Sequence, residues 1–177
     1  MTLTERFISI ATKKDTIPKK SSLIHDWLGF KCTHSTSIRL GNYIETLFNQ
    51  SVQCNLKCLL PDGEHIQANN QTHQIDHLMI DTDEQIWQLE LKCNLTLDRG
   101  KKRDVVSREA VITEALSKQL ESTIKSCVFC PFIEDSKTIS SLGYIMGMKE
   151  FISRFNPDFT LTEFKLLGKN PAIHSVL

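Results

Sequence analysis

The spacing of hydrophobic positions changes period several times along this chain, and each change marks an element. Over residues 35–49, Leu40, Tyr43, Ile44, Leu47 and Phe48 recur at three- and four-residue spacing. That spacing predicts an amphipathic helix, with Ser35 or Ser37 as its cap. Ahead of it, Ser21-Ser22 followed by Leu23, Trp27 and Leu28 predicts a shorter helix. SVQCNLKCLL (51–60) reads as a strand, and PDGEHIQANNQT after it is rich in turn formers. Residues 74–81 and 85–92 are both strand-like and are separated by Thr82-Asp83-Glu84, the pattern of a β-hairpin. A long helix is expected from Asp104 to about Lys125, because Ile112, Leu116, Leu120 and Ile124 repeat every fourth residue. SSLGYIMGM (140–148) reads as a buried strand, 149–155 as a short helix, and DFTLTEFKLL as a final strand or edge element. The order is helix, strand, hairpin, long helix, strand. It allows a crossover connection and a mixed α/β sheet of four to five strands flanked by helices.

The hairpin carries the candidate chemistry. With Asp83 at the centre of the turn, Asp76 and Glu90 are equidistant from it and face each other on one side of the sheet. Lys92, two residues beyond Glu90, shares that side because strand side chains alternate. Leu78, Ile80 and Ile86 lie on the same face, and Trp87, Leu89 and Leu91 cover the other. Both faces are therefore largely apolar, as in a central strand. Opposed carboxylates in such a setting are costly unless something compensates. A divalent cation does so, and paired carboxylates suit Mg²⁺. The adjacent lysine would orient an attacking water or offset charge on a phosphate. The plainer reading is an amphipathic hairpin with its acids in solvent and its lysine paired to Glu90.

Composition narrows the setting. The chain has 177 residues, 40% hydrophobic and 24% charged, which fits one folded domain and excludes wholesale disorder. No run approaches the ~18 apolar residues that would suggest a membrane span. The opening MTLTERFISIATKK lacks the basic-then-apolar pattern of an export signal. Six cysteines in that context read as reduced thiols in a cytoplasm. Lys+Arg and Asp+Glu both number 21, so any nucleic-acid binding must rest on local charge.

Asp76 followed by Glu90-Leu91-Lys92 resembles the PD-(D/E)xK nuclease superfamily. The run ELKCNLTLD (90–98) is similar to a subset of bacterial type II restriction endonucleases, in which ELK is followed by an Asn and a Leu-Asp pair. Ile75 stands where that family usually has proline, a residue that is not a ligand. The resemblance runs from the helix at 35–49 through the strand at 140–148. It implies a restriction-endonuclease-like core at about 35–148, with 1–34 and 149–177 as recognition or dimerisation elaborations. It implies Mg²⁺-dependent, sequence-specific hydrolysis of double-stranded DNA leaving 5′-phosphate ends, in a bacterial cytoplasm. Asp76, Glu90 and the Leu91 carbonyl would bind metal, and Lys92 would serve the attacking water. Glu45, in the run GNYIE, has the look of the acidic residue the family often adds from its first core helix. A repair or junction-resolving nuclease of the same fold is the alternative enzyme. A DNA-binding or assembly subunit without catalysis is the alternative of another class. So small a chain leaves little room for a separate recognition domain, so a homodimer is expected, or the small subunit of a heterodimeric enzyme.

Arg99, Lys101, Lys102 and Arg103 cluster just past the second hairpin strand and are candidates for gripping phosphates, or else a solvated basic loop. Asn94 and Asp98 lie between and gain no role from spacing alone. Cys127-x-x-Cys130 with Cys54 and Cys58 invites a zinc site. Cysteines four apart on a strand are about 13 Å apart, too far to share an ion, so zinc would require 51–60 not to be a strand, and small core thiols are the plainer reading. The same objection applies to His73 and His77.

Overall fold

The computed structural model describes residues 23–60, 65–95, 97 and 99–174, together with Thr4. In chain order the elements are α1 (Leu23–Leu28), α2 (His34–Ser51), a 3-10 turn (Leu56–Leu59), β1 (His65–Ala68), β2 (Gln71–Gln74), β3 (His77–Ile80) and β4 (Ile86–Leu91). They continue with α3 (Arg99–Gln119), β5 (Ile124–Phe129), β6 (Lys137–Ile139), β7 (Gly143–Met146), α4 (Met148–Phe155), α5 (Leu161–Gly168) and α6 (Pro171–His174). Contacts group the chain into two compact units, residues 1–51 with 157–177 and residues 52–156.

The first unit is helical in its described residues. The stripe on α2 is buried as its spacing predicts, with Leu40, Ile44, Leu47 and Phe48 inaccessible to solvent. Phe48 packs on Phe159 and Phe164, with ring centroids 5.8 and 5.7 Å apart. Trp27 stacks on Phe164 at 5.1 Å and donates its indole N–H to the Phe164 carbonyl at 3.1 Å. The segment DFTLTEFKLL, expected to be a strand, instead forms α5. The Thr160 hydroxyl accepts from the Glu163 N–H, and the Glu163 carboxylate accepts from the Thr160 N–H. This reciprocal cap satisfies two otherwise orphaned donors and outweighs the strand-like alternation.

The second unit holds a five-stranded sheet in the order β3-β4-β5-β7-β6. β4, β5 and β7 run parallel, while β3 and β6 are antiparallel edges, so the sheet is mixed. Parallel neighbours need a crossover, and α3 supplies it between β4 and β5. On one face Ile112 and Leu116 of α3 pack with Leu78 and Ile124. On the other, Phe151 of α4 stacks on Phe129 at 4.4 Å. The expected mixed α/β sheet, covered by helix, is therefore present.

Several local expectations are corrected. Residues 51–60 are not a strand: Asn55 accepts from the Lys57 N–H through its side chain and caps the 3-10 turn. The long helix ends at Gln119, and Ile124 opens β5; Glu121, at φ 49°, breaks the helical path between them. The turn-rich stretch holds a hairpin, β1–β2, turning over Asn69 and Asn70 at φ 50° and 60°. Asparagine tolerates this left-handed conformation, which type I′ hairpins require at both positions. The short edge strand β6 precedes β7. No described helix is long and apolar enough to cross a membrane.

Candidate active site at the open end of the hairpin

The register of the β3–β4 pair decides which side chains meet. His77 pairs with Leu89, Leu78 with Gln88, Met79 with Trp87 and Ile80 with Ile86. One step further along that register, Asp76 stands opposite Glu90, as the turn geometry predicted. Asp76 lies just before β3, and its Oδ2 accepts from the Leu91 N–H at 2.8 Å. Lys57, buried on the 3-10 turn, donates its ammonium to the Asp76 carbonyl at 2.9 Å. Side chain and backbone of Asp76 are thus both anchored.

Glu90 sits on a strand paired on both sides and is 1% exposed. Its Oε1 accepts from the Lys92 ammonium at 2.6 Å and from the Arg108 guanidinium of α3. Its Oε2 is buried without a hydrogen-bond partner among the described residues. An ionised carboxylate oxygen left so is expensive in a low-dielectric interior. Lys92 continues the parallel ladder by donating its N–H to the Phe129 carbonyl at 2.9 Å. Its ammonium also reaches the Leu91 carbonyl at 3.0 Å. The structure therefore brings Asp76, Glu90, Leu91 and Lys92 together.

The strand face beneath α3 is polar beyond Glu90. The buried Gln88 accepts from the Thr113 hydroxyl at 3.4 Å. Burial pushes the Glu109 carboxyl above its usual range, against an opposing hydrogen bond from Ser126. Beside Lys92 a cavity of about 270 Å³ opens, lined by Lys92, Leu97 and the α3 face carrying Lys101, Asp104, Val105 and Arg108.

Other candidates separate. Lys101 lines the cavity; Lys102 and Arg103 lie on α3 and do not. Arg99 opens α3, but its side chain lies outside the described residues, as does Asp98. Glu45 is half-buried on α2 of the first unit. His77 is wholly buried at the edge of the Phe129 ring, 6.2 Å between centroids. Burial, helped by nearby Lys57, lowers its pKa to about 3 and keeps it neutral. Cys127 and Cys130 are buried while Cys54 is exposed, and the Cys58 side chain lies outside the described residues. Among the described residues no three His, Cys, Asp or Glu side chains converge as a metal-holding group. The hard oxygens available at the hairpin come instead from two carboxylates and one carbonyl.

Two residues escape the sequence reading. Lys57 was hidden by reading 51–60 as a strand. Arg108 had a usable signal: on a helix that follows the second hairpin strand, Lys101, Asp104, Val105 and Arg108 share one face. Fold and site together define a mixed α/β protein with two acids and a lysine at the open end of a sheet hairpin. No family model, curated protein or solved structure matches the chain.

Proposed function

We propose that this protein is a Mg²⁺-dependent, sequence-specific DNA endonuclease of the type II restriction class, built on a restriction-endonuclease-like core. The observation that carries the reading is Glu90. A buried carboxylate keeps one oxygen without a donor among the described residues, next to Lys92 and opposite Asp76 in the hairpin register. Lys92 and Arg108 account for one oxygen of Glu90 as structural ion pairs; the other has no donor among the described residues, and a hard divalent cation would use it. The donor set fits such an ion: Asp76, Glu90 and the Leu91 carbonyl are all hard oxygens, and Mg²⁺ commonly takes one or two carboxylates with water and phosphate completing its shell. When bound, the ion supplies a polarised water and stabilises charge on the phosphoryl oxygens.

The chain's own residues do the rest. Lys57 and the Leu91 N–H hold Asp76 in place from two directions. Lys92 is anchored on Glu90 and the Leu91 carbonyl, so its ammonium is fixed where it orients the attacking water and offsets phosphate charge. The water attacks phosphorus in line and loses its proton to solvent, the P–O3′ bond breaks with its electron pair on the 3′ oxygen, which takes a proton from solvent, and the phosphate stays on the 5′ end. Cutting both strands of a palindromic site calls for two such centres, hence a homodimer, for which light scattering should give twice the chain mass.

The test is cleavage of supercoiled plasmid DNA with and without Mg²⁺. Wild type should cut only with the cation, at one defined sequence, and Asp76→Ala should not cut. Equal activity in the two proteins removes the assignment.

A further inference from the structure

Arg108 and Lys92 both contact the same oxygen of Glu90, so two cations serve one carboxylate. One of them is surplus to neutralising it. Glu90 is buried, whereas the Arg108 side chain is 40% exposed and lines the 270 Å³ cavity. At ~30 Å³ per water that cavity has room for several water-sized groups. Its lining carries three cations, Lys92, Lys101 and Arg108, against a single acid, Asp104. Lys101 and Arg108 project from one face of α3, two turns apart, with the apolar Val105 between them. A planar guanidinium with five donors matches two phosphate oxygens at once, which a carboxylate contact through a single oxygen leaves unused.

We propose that this cavity is a binding site for a backbone phosphate of duplex DNA, in which Lys101 and Arg108 grip the phosphate and Arg108 reaches it by releasing Glu90. The proposal rests on the nuclease reading for its substrate class. Arg108 then has two positions. On Glu90 it adds to the charge that Lys92 already supplies to the carboxylate; on DNA it takes the phosphate and leaves Glu90 to Lys92 and the metal. Neutralising Glu90 without metal should free Arg108 in the same way.

The test is equilibrium binding of a fluorescent duplex, in chelator and across a salt series, by wild type, Glu90→Gln, Glu90→Gln/Arg108→Ala and Lys101→Ala. Melting curves check that each variant is folded. Glu90→Gln should bind DNA more tightly than wild type, with a salt slope steeper by about 0.9, the value of one added phosphate contact. Adding Arg108→Ala should abolish that gain. Lys101→Ala leaves Glu90 and Asp76 themselves unchanged, and should make the slope shallower by about the same amount. Equal affinity and slope in Glu90→Gln and the double variant, or no change in Lys101→Ala, overturns the proposal. Inorganic phosphate that displaces the duplex at matched ionic strength would show a free-anion site instead and also overturns it. The two readings fail separately. Wild type that binds as described but never cuts plasmid sinks the nuclease reading and keeps the phosphate site. Wild type that cuts while the slopes stay equal does the reverse.

Discussion

Asp81 and Glu90 are buried carboxylates of one hairpin, placed at its two ends. At the turn, Asp81 Oδ1 accepts from the N–H groups of Asp83 and Gln85 at 3.0 and 2.9 Å. Its Oδ2 accepts from the Trp87 indole at 2.8 Å and from Arg154 at 3.2 Å. Arg154 is itself held by Glu150 at 2.6 Å and lies over the Trp87 ring at 4.9 Å. Burial pushes the Asp81 carboxyl up, but these hydrogen bonds outweigh it and leave the group below its ordinary value. Among the described residues, Glu90 at the open end has two cations on one oxygen and none on the other. One carboxylate is completed by the chain and locks a turn; the other keeps acceptor capacity that the described residues do not use. Burial alone therefore does not separate these two acids. The count of donors per oxygen does.

Substitutions at the two ends should part company. Glu90→Ala should lower Mg²⁺-dependent cleavage by on the order of 10³-fold, the scale of removing a group that stabilises developing charge. Asp81→Ala should leave cleavage by the folded protein intact. A comparable loss in both variants would erase the distinction. Stability should run the other way. Asp81→Ala strands the Trp87 indole and Arg154 without their shared acceptor, at about 2–3 kcal/mol in urea unfolding. Glu90→Gln should stay within about 1 kcal/mol of wild type, because Lys92 and Arg108 are exposed enough to turn to water and no unpaired charge is left inside.

The smallest expected effect is in pH. The Asp81 carboxyl is held below its unfolded value, so its contribution is complete above about pH 4 and is lost as pH falls through the folded value. Asp81→Asn should flatten that acidic part of the stability curve. An unchanged acid limb would show that the turn network contributes little.

The hairpin register at the candidate site was more legible in the sequence than the fold around it. A short polar turn between two apolar runs sets the hairpin register, and the register alone places Asp76 opposite Glu90. Elsewhere local chemistry competed with periodicity. Ile124 continued the four-residue repeat of Ile112 and Leu116, yet the left-handed Glu121 turns the chain into β5. Thr160 and Glu163 spell a capping box inside an alternating run, and the box wins. Asn69-Asn70 was a hairpin turn signal inside a stretch read only as connection. Lys57 and Arg108 reach the site from elements outside the hairpin, so no spacing within it could find both.

The account stands on Glu90 and Asp76 sharing a cation, and counting bound Mn²⁺ by electron paramagnetic resonance in the absence of DNA tests this directly. Wild type should take up the ion, Glu90→Gln and Asp76→Ala should lose it, and Asp81→Asn should retain it. Uptake unchanged in the Glu90 and Asp76 variants, or none in wild type, would contradict it.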